Sequence, residues 1–188
     1  MSHTTFISYK YSESTELRDK IITKLGKDAS YYKGERSFSD DLSSLKAQTI
    51  KEYLKGMIAP ASVMIVIVSP NMARTKWMEW EIQYSLRKQM RDGRYSNPSG
   101  IICVIAKDQN WYNPYGWFYN RIMYDRFLLF DVLNENVKNL KYTYKYTGLA
   151  NDYIDFVREV DFLKTPHLYI ENAFEKAQNI DKYDITIY

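Results

Sequence analysis

Two short blocks of the chain are apolar at every position, and they predict buried parallel strands. The first, Val63–Val68 with the sequence VMIVIV, is stopped by Ser69 and Pro70, and the second covers residues 101–106, IICVIA. A strand that is apolar on both faces is typical of a parallel sheet with helices on each side. A β-branched and aromatic run at residues 5–9, TFISY, predicts a first strand.

Segments with helical periodicity alternate with these strands. One stripe precedes Gly26, a second stops before Pro60, and a third follows Trp77; their apolar or buried positions are Leu17, Ile21 and Leu25, then Ile50, Leu54, Met57 and Ile58, then Met78, Ile82, Ser85 and Leu86. With a short strand predicted at residues 36–39, the order is β-α-β-α-β-α-β. This order predicts an α/β fold with a parallel sheet and right-handed crossovers.

A polar loop is predicted at residues 91–100. After Lys107 the alternation of strand and helix patterns becomes less regular, and the run FLLFD at 127–131 predicts a fifth strand. Residues 142–147 fit either an edge strand or an ordered loop, an apolar stripe at 149–160 predicts a helix, and Thr165 and Pro166 begin a last helix. We expect a single domain over residues 1–188, with a core at about 5–131 and a helical extension at about 132–188.

Composition narrows the classes of function. Among 188 residues the net charge is only +3 with both signs interleaved, so no nucleic-acid surface is expected. Cys103 is the single cysteine, which excludes intramolecular disulfides and cysteine-rich zinc sites. No apolar stretch is long enough to span a bilayer, and no signal-peptide pattern opens the sequence, so we expect a cytoplasmic protein without a membrane partner.

Candidate chemistry lies just after the strand Val63–Val68. In open α/β sheets ligands bind at the carboxyl ends of the strands, and a helix predicted to begin near Thr75 places Trp77 and Glu81 four residues apart on one face. Glu81 falls roughly 85° from the centre of the buried stripe, at its flank. Glu81 is therefore a candidate catalytic carboxylate beside aromatic rings, although for this residue taken alone a solvated helix carboxylate is the default interpretation.

Other catalytic patterns are not supported. The two histidines, His3 and His167, lie in no motif, and no glycine-rich phosphate loop is present. A phospho-acceptor aspartate is not found after the third strand, where Ser69 stands. We expect no metal site.

Two segments resemble the sequence boxes of TIR domains. The pattern Ser69-x-x-Met72-x-x-Thr75-x-Trp77-x-x-x-Glu81 is similar to the box that runs Ser, two residues, an aromatic residue, two residues, Ser, one residue, Trp-Cys, two residues, Glu. Thr75 replaces Ser, and methionines replace the aromatic residue and the Cys.

The second segment, Phe6-Ile7-Ser8-Tyr9, resembles the first TIR box, at the end of the first strand. The resemblance covers residues 5 to about 107. Within the superfamily the chain is most similar to the stand-alone TIR-like proteins of bacterial Thoeris antiphage systems.

This resemblance implies a flavodoxin-like, three-layer TIR fold. It also implies an enzyme of the NAD⁺ nucleosidase or ADP-ribosyl cyclase type, which cleaves the nicotinamide glycosidic bond and cyclises ADP-ribose into a diffusible signal for a separate effector. NAD is then the substrate, and no cofactor is expected. The resemblance allows a homo-oligomer and a phage-derived trigger as further partners.

The resemblance also assigns site residues. Glu81 is expected to be catalytic and to engage the ribose of the nicotinamide nucleoside. Substrate binding is expected at Phe6, Ser8, Tyr9, Lys10, Asp40, Ser69 and Trp77. Lys10 is suited to a pyrophosphate, and Trp111, Tyr115 and Trp117 are hypothesised to contribute to a pocket for adenine or nicotinamide.

Two alternatives stay open. A non-enzymatic TIR adaptor would act only through protein contacts, although adaptors commonly lack the glutamate that is present here as Glu81. A nucleoside deoxyribosyltransferase-like enzyme would share the sheet topology and a catalytic glutamate, but would cleave deoxynucleosides and leave NAD intact.

Overall fold

The computed structural model describes residues 3–31, 47–75, 77–91, 94–110, 112–119, 129–144 and 152–188. The strands are β1 (Thr5–Ser8), β2 (Ala29–Tyr31), β3 (Val63–Val68), β4 (Gln89–Arg91), β5 (Arg94–Ser96), β6 (Gly100–Ile105) and β7 (Asp155–Arg158). The helices are α1 (Tyr11–Leu25), α2 (Ala47–Ile58), α3 (Met78–Ser85), α4 (Asp131–Glu135), α5 (Glu159–Phe162) and α6 (Pro166–Gln178).

Five strands form one parallel sheet in the order β2-β1-β3-β6-β7, and β4 and β5 form a separate antiparallel hairpin. Counted along the chain, the parallel strands have the order 2-1-3-4-5, which is that of flavodoxin-like folds. The predicted α/β fold is confirmed. The order reverses direction between β1 and β3, so the crevice for a ligand is expected where these two strands end.

The central strands are buried on both faces, as their apolar sequences predict. Alternate residues of β3 belong to two separate core clusters, one on each side of the sheet. Helices α2 and α3 cover one side, and α1 and α6 cover the other. The result is a three-layer arrangement, in which burial of each large aliphatic side chain contributes about 1.5–3 kcal/mol.

Helix α3 buries the predicted stripe but begins later than expected. Met78, Ile82, Ser85 and Leu86 are all buried. Thr75, however, is extended, and its amide hydrogen-bonds to Met72 at the end of a 3-10 turn. Helix α3 therefore begins at Met78 with Trp77 at its N-cap, and the loop after β3 has a local structure of its own.

The fifth strand was predicted in the wrong place. Leu129 and Phe130 are not in a strand, and Asp131 begins α4; residues 127 and 128 lie outside the described residues. The strand that completes the sheet is β7, inside the segment whose stripe predicts a helix at 149–160. Residues beyond 131 therefore contribute a strand to the central sheet as well as helices.

The reason for this error is the length and position of β7. It has four residues at the edge of the sheet, and a charged residue stands at each of its ends. Such a strand has no continuous apolar block, so its hydrophobic spacing resembles that of a helix. Its pairing with β6 from Ile102 to Ile105 outweighs this weak local preference.

Three further predictions, for shorter segments of the chain, can be compared with the structure. The strand next to β1 is Ala29–Tyr31, whereas the predicted strand at 36–39 lies outside the described residues. Part of the predicted polar loop at 91–100 pairs as the hairpin of β4 and β5. Residues Tyr142–Tyr144 form a 3-10 turn and not a strand.

The last helix, with Thr165 as N-cap and Pro166 in its first turn, is confirmed. Among the described residues, no helix is both long and apolar enough to cross a membrane.

The contact between α6 and the start of β6 requires a glycine. A Cβ added at Gly100 would stand 2.0 Å from the carbonyl oxygen of Ala173 in α6. We expect Gly100→Ala to lower the free energy of unfolding by roughly 1–3 kcal/mol, because backbone would have to move. A Cβ at Gly56 in α2 meets nothing within 4 Å, so Gly56→Ala should raise the free energy of unfolding by about 0.5–1 kcal/mol.

Urea denaturation of both variants measures this difference. Equal stability of the two variants would contradict the close packing of α6 on β6.

Candidate functional site

The site lies where β1 and β3 end side by side. Ser8 is the last residue of β1 and pairs with Val66 of β3, and Ser69 follows β3 directly. The helix that follows each strand begins at this same edge of the sheet. The edge is thus the topological switch point, where a crevice for a ligand is expected between the loops that follow both strands.

Glu81 is buried at this edge and is held by Ser8. Its residue is only 4% exposed, and the Ser8 hydroxyl donates a hydrogen bond of 2.6 Å to Glu81 Oε2. The Glu81 amide hydrogen-bonds to the carbonyl of Trp77 at 2.9 Å, which places the carboxylate in the first turn of α3. A negative charge is favoured near a helix N-terminus, and a buried carboxylate is tolerated when donors replace the water it has lost.

A small polar cluster ties the loops on the two sides of the crevice together. Lys10 Nζ lies 2.7 Å from Glu13 Oε1 and donates to the carbonyl of Asn71 at 3.2 Å. The amide of Asn71 donates to Glu13 Oε2 at 3.1 Å. The first turn of α1 is therefore bonded to the loop after β3, and the Lys10 ammonium is held beside the crevice by a carboxylate.

Ser69 and Trp77 lie in the connection from β3 to α3. Ser69 is buried, and its hydroxyl makes no hydrogen bond of good geometry within the described part of the chain, although it lies close enough to Glu13 to help lower the pKa of that carboxyl. Trp77 is partly buried against the core cluster that contains Phe6. Phe6 itself is fully buried in this cluster, so its side chain contributes packing beneath the loop residues and has no exposed surface for a substrate.

Tyr9 is not brought to Glu81. It belongs to the core cluster on the opposite side of the sheet, where the Arg18 guanidinium lies 4.9 Å from the centre of its ring and donates to its hydroxyl. Asp40 lies outside the described residues. The structure therefore brings together Ser8, Glu81 and Trp77, with Lys10 and Ser69 in the adjoining loops.

Two of the three aromatic residues proposed for a pocket are described, and both are anchored. The Trp117 indole N–H donates to the carbonyl of Ala106 at 2.9 Å, and the amide of Ala106 pairs with Val68. Tyr115 is buried, and its hydroxyl accepts a hydrogen bond from the amide of Val160 at 3.4 Å; burial raises the pKa of Tyr115. Trp117 thus lies one strand away from Ser69, and Trp111 is outside the described residues.

Sequence reasoning missed two carboxylates at this edge. Glu13 stands three residues after Lys10 at the start of α1, a spacing that favours an ion pair and was a usable signal. Glu159, directly after β7, is buried and accepts a hydrogen bond of 2.9 Å from the amide of Lys107. No sequence signal marks Glu159, because its role depends on where β7 pairs.

The described residues contain no group of three His, Cys, Asp or Glu side chains that could hold a metal ion. Within the described part of the chain, this edge carries carboxylates, hydroxyls, the ammonium groups of Lys10 and Lys107, and aromatic rings.

The Glu13 carboxylate should make the stability of the protein depend on pH. Burial raises its pKa, but hydrogen bonds from Lys10 and the Asn71 amide, helped by the nearby Ser69 hydroxyl, outweigh burial, so the pKa lies below its ordinary value of 4.5. The stabilisation from this shift is complete above pH 4.5 and is lost as the pH falls through the lowered pKa.

We therefore expect Glu13→Gln to lower the free energy of unfolding most at neutral pH, and the gap between variant and wild type to shrink below pH 4.5. Urea denaturation at a series of pH values tests this. A gap that stays constant or widens in acid would contradict the contacts of Glu13.

A comparison with known families gives a match that spans both sequence boxes. The family model for the TIR-like domain of the Thoeris protein ThsB matches residues 6–109, more than half of the 188 residues. The match includes Ser8, Lys10, Trp77 and Glu81, and it runs from β1 to just beyond the end of β6. The chain therefore belongs to the ThsB TIR-like family of Thoeris antiphage proteins.

Proposed function

We propose that this protein cleaves the nicotinamide glycosidic bond of NAD and cyclises the ADP-ribose into a signal that activates a separate Thoeris effector. The observation that carries the proposal is the buried Glu81 carboxylate, hydrogen-bonded by Ser8 at the switch point of the sheet. Buried carboxylates in such a crevice are costly to maintain, and they are frequent at catalytic sites.

The chemistry of the bond suits a carboxylate. When the C–N bond breaks, its electron pair leaves with nicotinamide, which becomes neutral, and positive charge develops on the ribose as an oxocarbenium-like centre. A fixed negative charge stabilises that centre or orients the ribose hydroxyls. Glu81 is the proposed catalytic group for this step.

Cyclisation requires that a nucleophilic atom of the same ADP-ribose reaches the oxocarbenium carbon before water does. Water must therefore be kept from the reacting carbon. Trp77, at the N-cap of α3, and Trp117, next to the end of β6, present large apolar rings that can serve this purpose.

Lys10 is the proposed partner of the pyrophosphate. The Lys10 ammonium pairs with Glu13, so binding of a pyrophosphate requires Lys10 to share or exchange this carboxylate. Ser69 and Asp40 are retained as proposed contacts of the substrate.

The direct test is incubation of the purified protein with NAD, followed by chromatography and mass spectrometry. We expect the wild type to release nicotinamide, and Glu81→Gln to reduce the rate at least about 100-fold because it removes the negative charge. Glu79→Gln is the matched control: Glu79 is in the first turn of the same helix and is only partly buried, so this variant should keep the wild-type rate.

The products separate the proposal from its rivals. A product with the mass of cyclised ADP-ribose supports the cyclase, and ADP-ribose alone reduces the proposal to a hydrolase. Cleavage of deoxynucleosides with NAD intact favours a deoxyribosyltransferase-like enzyme. No turnover of either substrate, at high protein concentration or in protein taken from phage-infected cells, contradicts the enzymatic proposal and favours an adaptor.

A further inference from the structure

The contact between Ser8 and Glu81 assigns Ser8 a role different from substrate binding. We infer that Ser8 is a positioning residue: its hydroxyl sets the orientation of the Glu81 carboxylate and does not itself contact the substrate. As far as catalysis is concerned, this inference rests on the proposed function.

The burial of Ser8 is the first argument. The residue is 1% exposed against 4% for Glu81, so Ser8 offers a ligand even less surface than the carboxylate to which it is bonded. Its single hydroxyl proton is donated to Glu81 Oε2 at 2.6 Å, which is the distance of a charge-assisted O–H···O⁻ bond. The serine hydroxyl is the donor in this pair, and the carboxylate oxygen accepts.

The second argument is that both partners stand on fixed backbone. Ser8 is held in β1 by its pairing with Val66 of the central strand. Glu81 stands in α3, which the buried side chains of Met78 and Ile82 hold against the sheet. The hydrogen bond therefore joins two elements whose positions are already set by the core.

The third argument concerns the last torsion of the glutamate side chain. The terminal torsion of Glu is broad and is poorly defined by ordinary rotamer preferences, so packing of the methylene groups alone does not set the plane of the carboxylate. A donor on a rigid strand does set it. A catalytic group has to be held within about 0.5 Å and 10–20° of its productive geometry, which is the accuracy that such a bond provides.

Three variants test the inference. Ser8→Ala removes the donor, and we expect kcat for nicotinamide release to fall roughly 10- to 100-fold with little change in KM, because a charge-assisted hydrogen bond is lost. Ser8→Thr keeps a hydroxyl and should recover most of the activity.

Ser85→Ala is the matched control. Ser85 is a fully buried serine of the same helix as Glu81, but its hydroxyl donates to the carbonyl of Ile82 at 2.8 Å. This variant should have close to the wild-type kcat. Thermal unfolding of all three variants identifies any loss of activity that follows from loss of the fold.

A crystallographic comparison tests the inference without relying on turnover. In the Ser8→Ala variant we expect the Glu81 carboxylate to rotate by more than about 20° or to occupy several orientations. If wild type releases no nicotinamide, the proposed function fails, while this comparison still decides whether Ser8 positions Glu81.

Three results would overturn the inference. An unmoved carboxylate in the Ser8→Ala structure would show that Ser8 does not orient Glu81. A rise in KM with an unchanged kcat would identify Ser8 as a substrate contact, and an equal loss of kcat in Ser85→Ala would reduce the effect to packing.

Discussion

A buried carboxylate has to be compensated, and the site of this protein is organised by that requirement. Glu81 has lost nearly all of its contact with water, and the Ser8 hydroxyl supplies a hydrogen bond in return. This contact exists only because β1 and β3 are neighbours and α3 returns over the end of β1. The strand order and the electrostatics of the site are therefore parts of a single arrangement.

The loops on the two sides of the crevice are also joined. Lys10 and Glu13 after β1 bond to Asn71 after β3, and the Ala106 carbonyl at the end of β6 accepts the indole proton of Trp117. These bonds use backbone groups at strand ends, which the sheet itself leaves unpaired. Charged and aromatic side chains are thus held at the carboxyl edge of the sheet by backbone groups of the loops that follow the strands.

The sequence predicts the centre of this fold better than its edges. Val63–Val68 and the strand beginning at Gly100 are continuous apolar blocks because both of their faces are covered, and such blocks are easily recognised. The edge strand β7 has no such block, so it was mistaken for a helix. Pairing with β6, which is distant in sequence, determines the structure of β7, and the local spacing of apolar residues does not indicate that pairing.

The residues of the candidate site divide in the same way, into those that a local pattern predicts and those that only the fold brings together. Glu81 and Trp77 were found because their spacing belongs to one helix turn and to a recognisable box. The contact of Ser8 with Glu81 joins residues 73 positions apart, so it can be recognised only once the fold is known. The separation of Tyr9 from Glu81 was open to prediction, since successive side chains along an extended chain point to opposite faces of a sheet.

The central claim is that NAD binds at the carboxyl edge of the sheet with its nicotinamide ribose against Glu81. A crystal structure of the Glu81→Gln variant soaked with NAD tests it most directly. We expect a ribose hydroxyl of the nicotinamide nucleoside within about 3 Å of the side chain at position 81. NAD bound at the opposite edge, in the cavity of about 250 Å³ lined by Thr5, Ala29 and Pro60, or no bound NAD at all, would contradict the account.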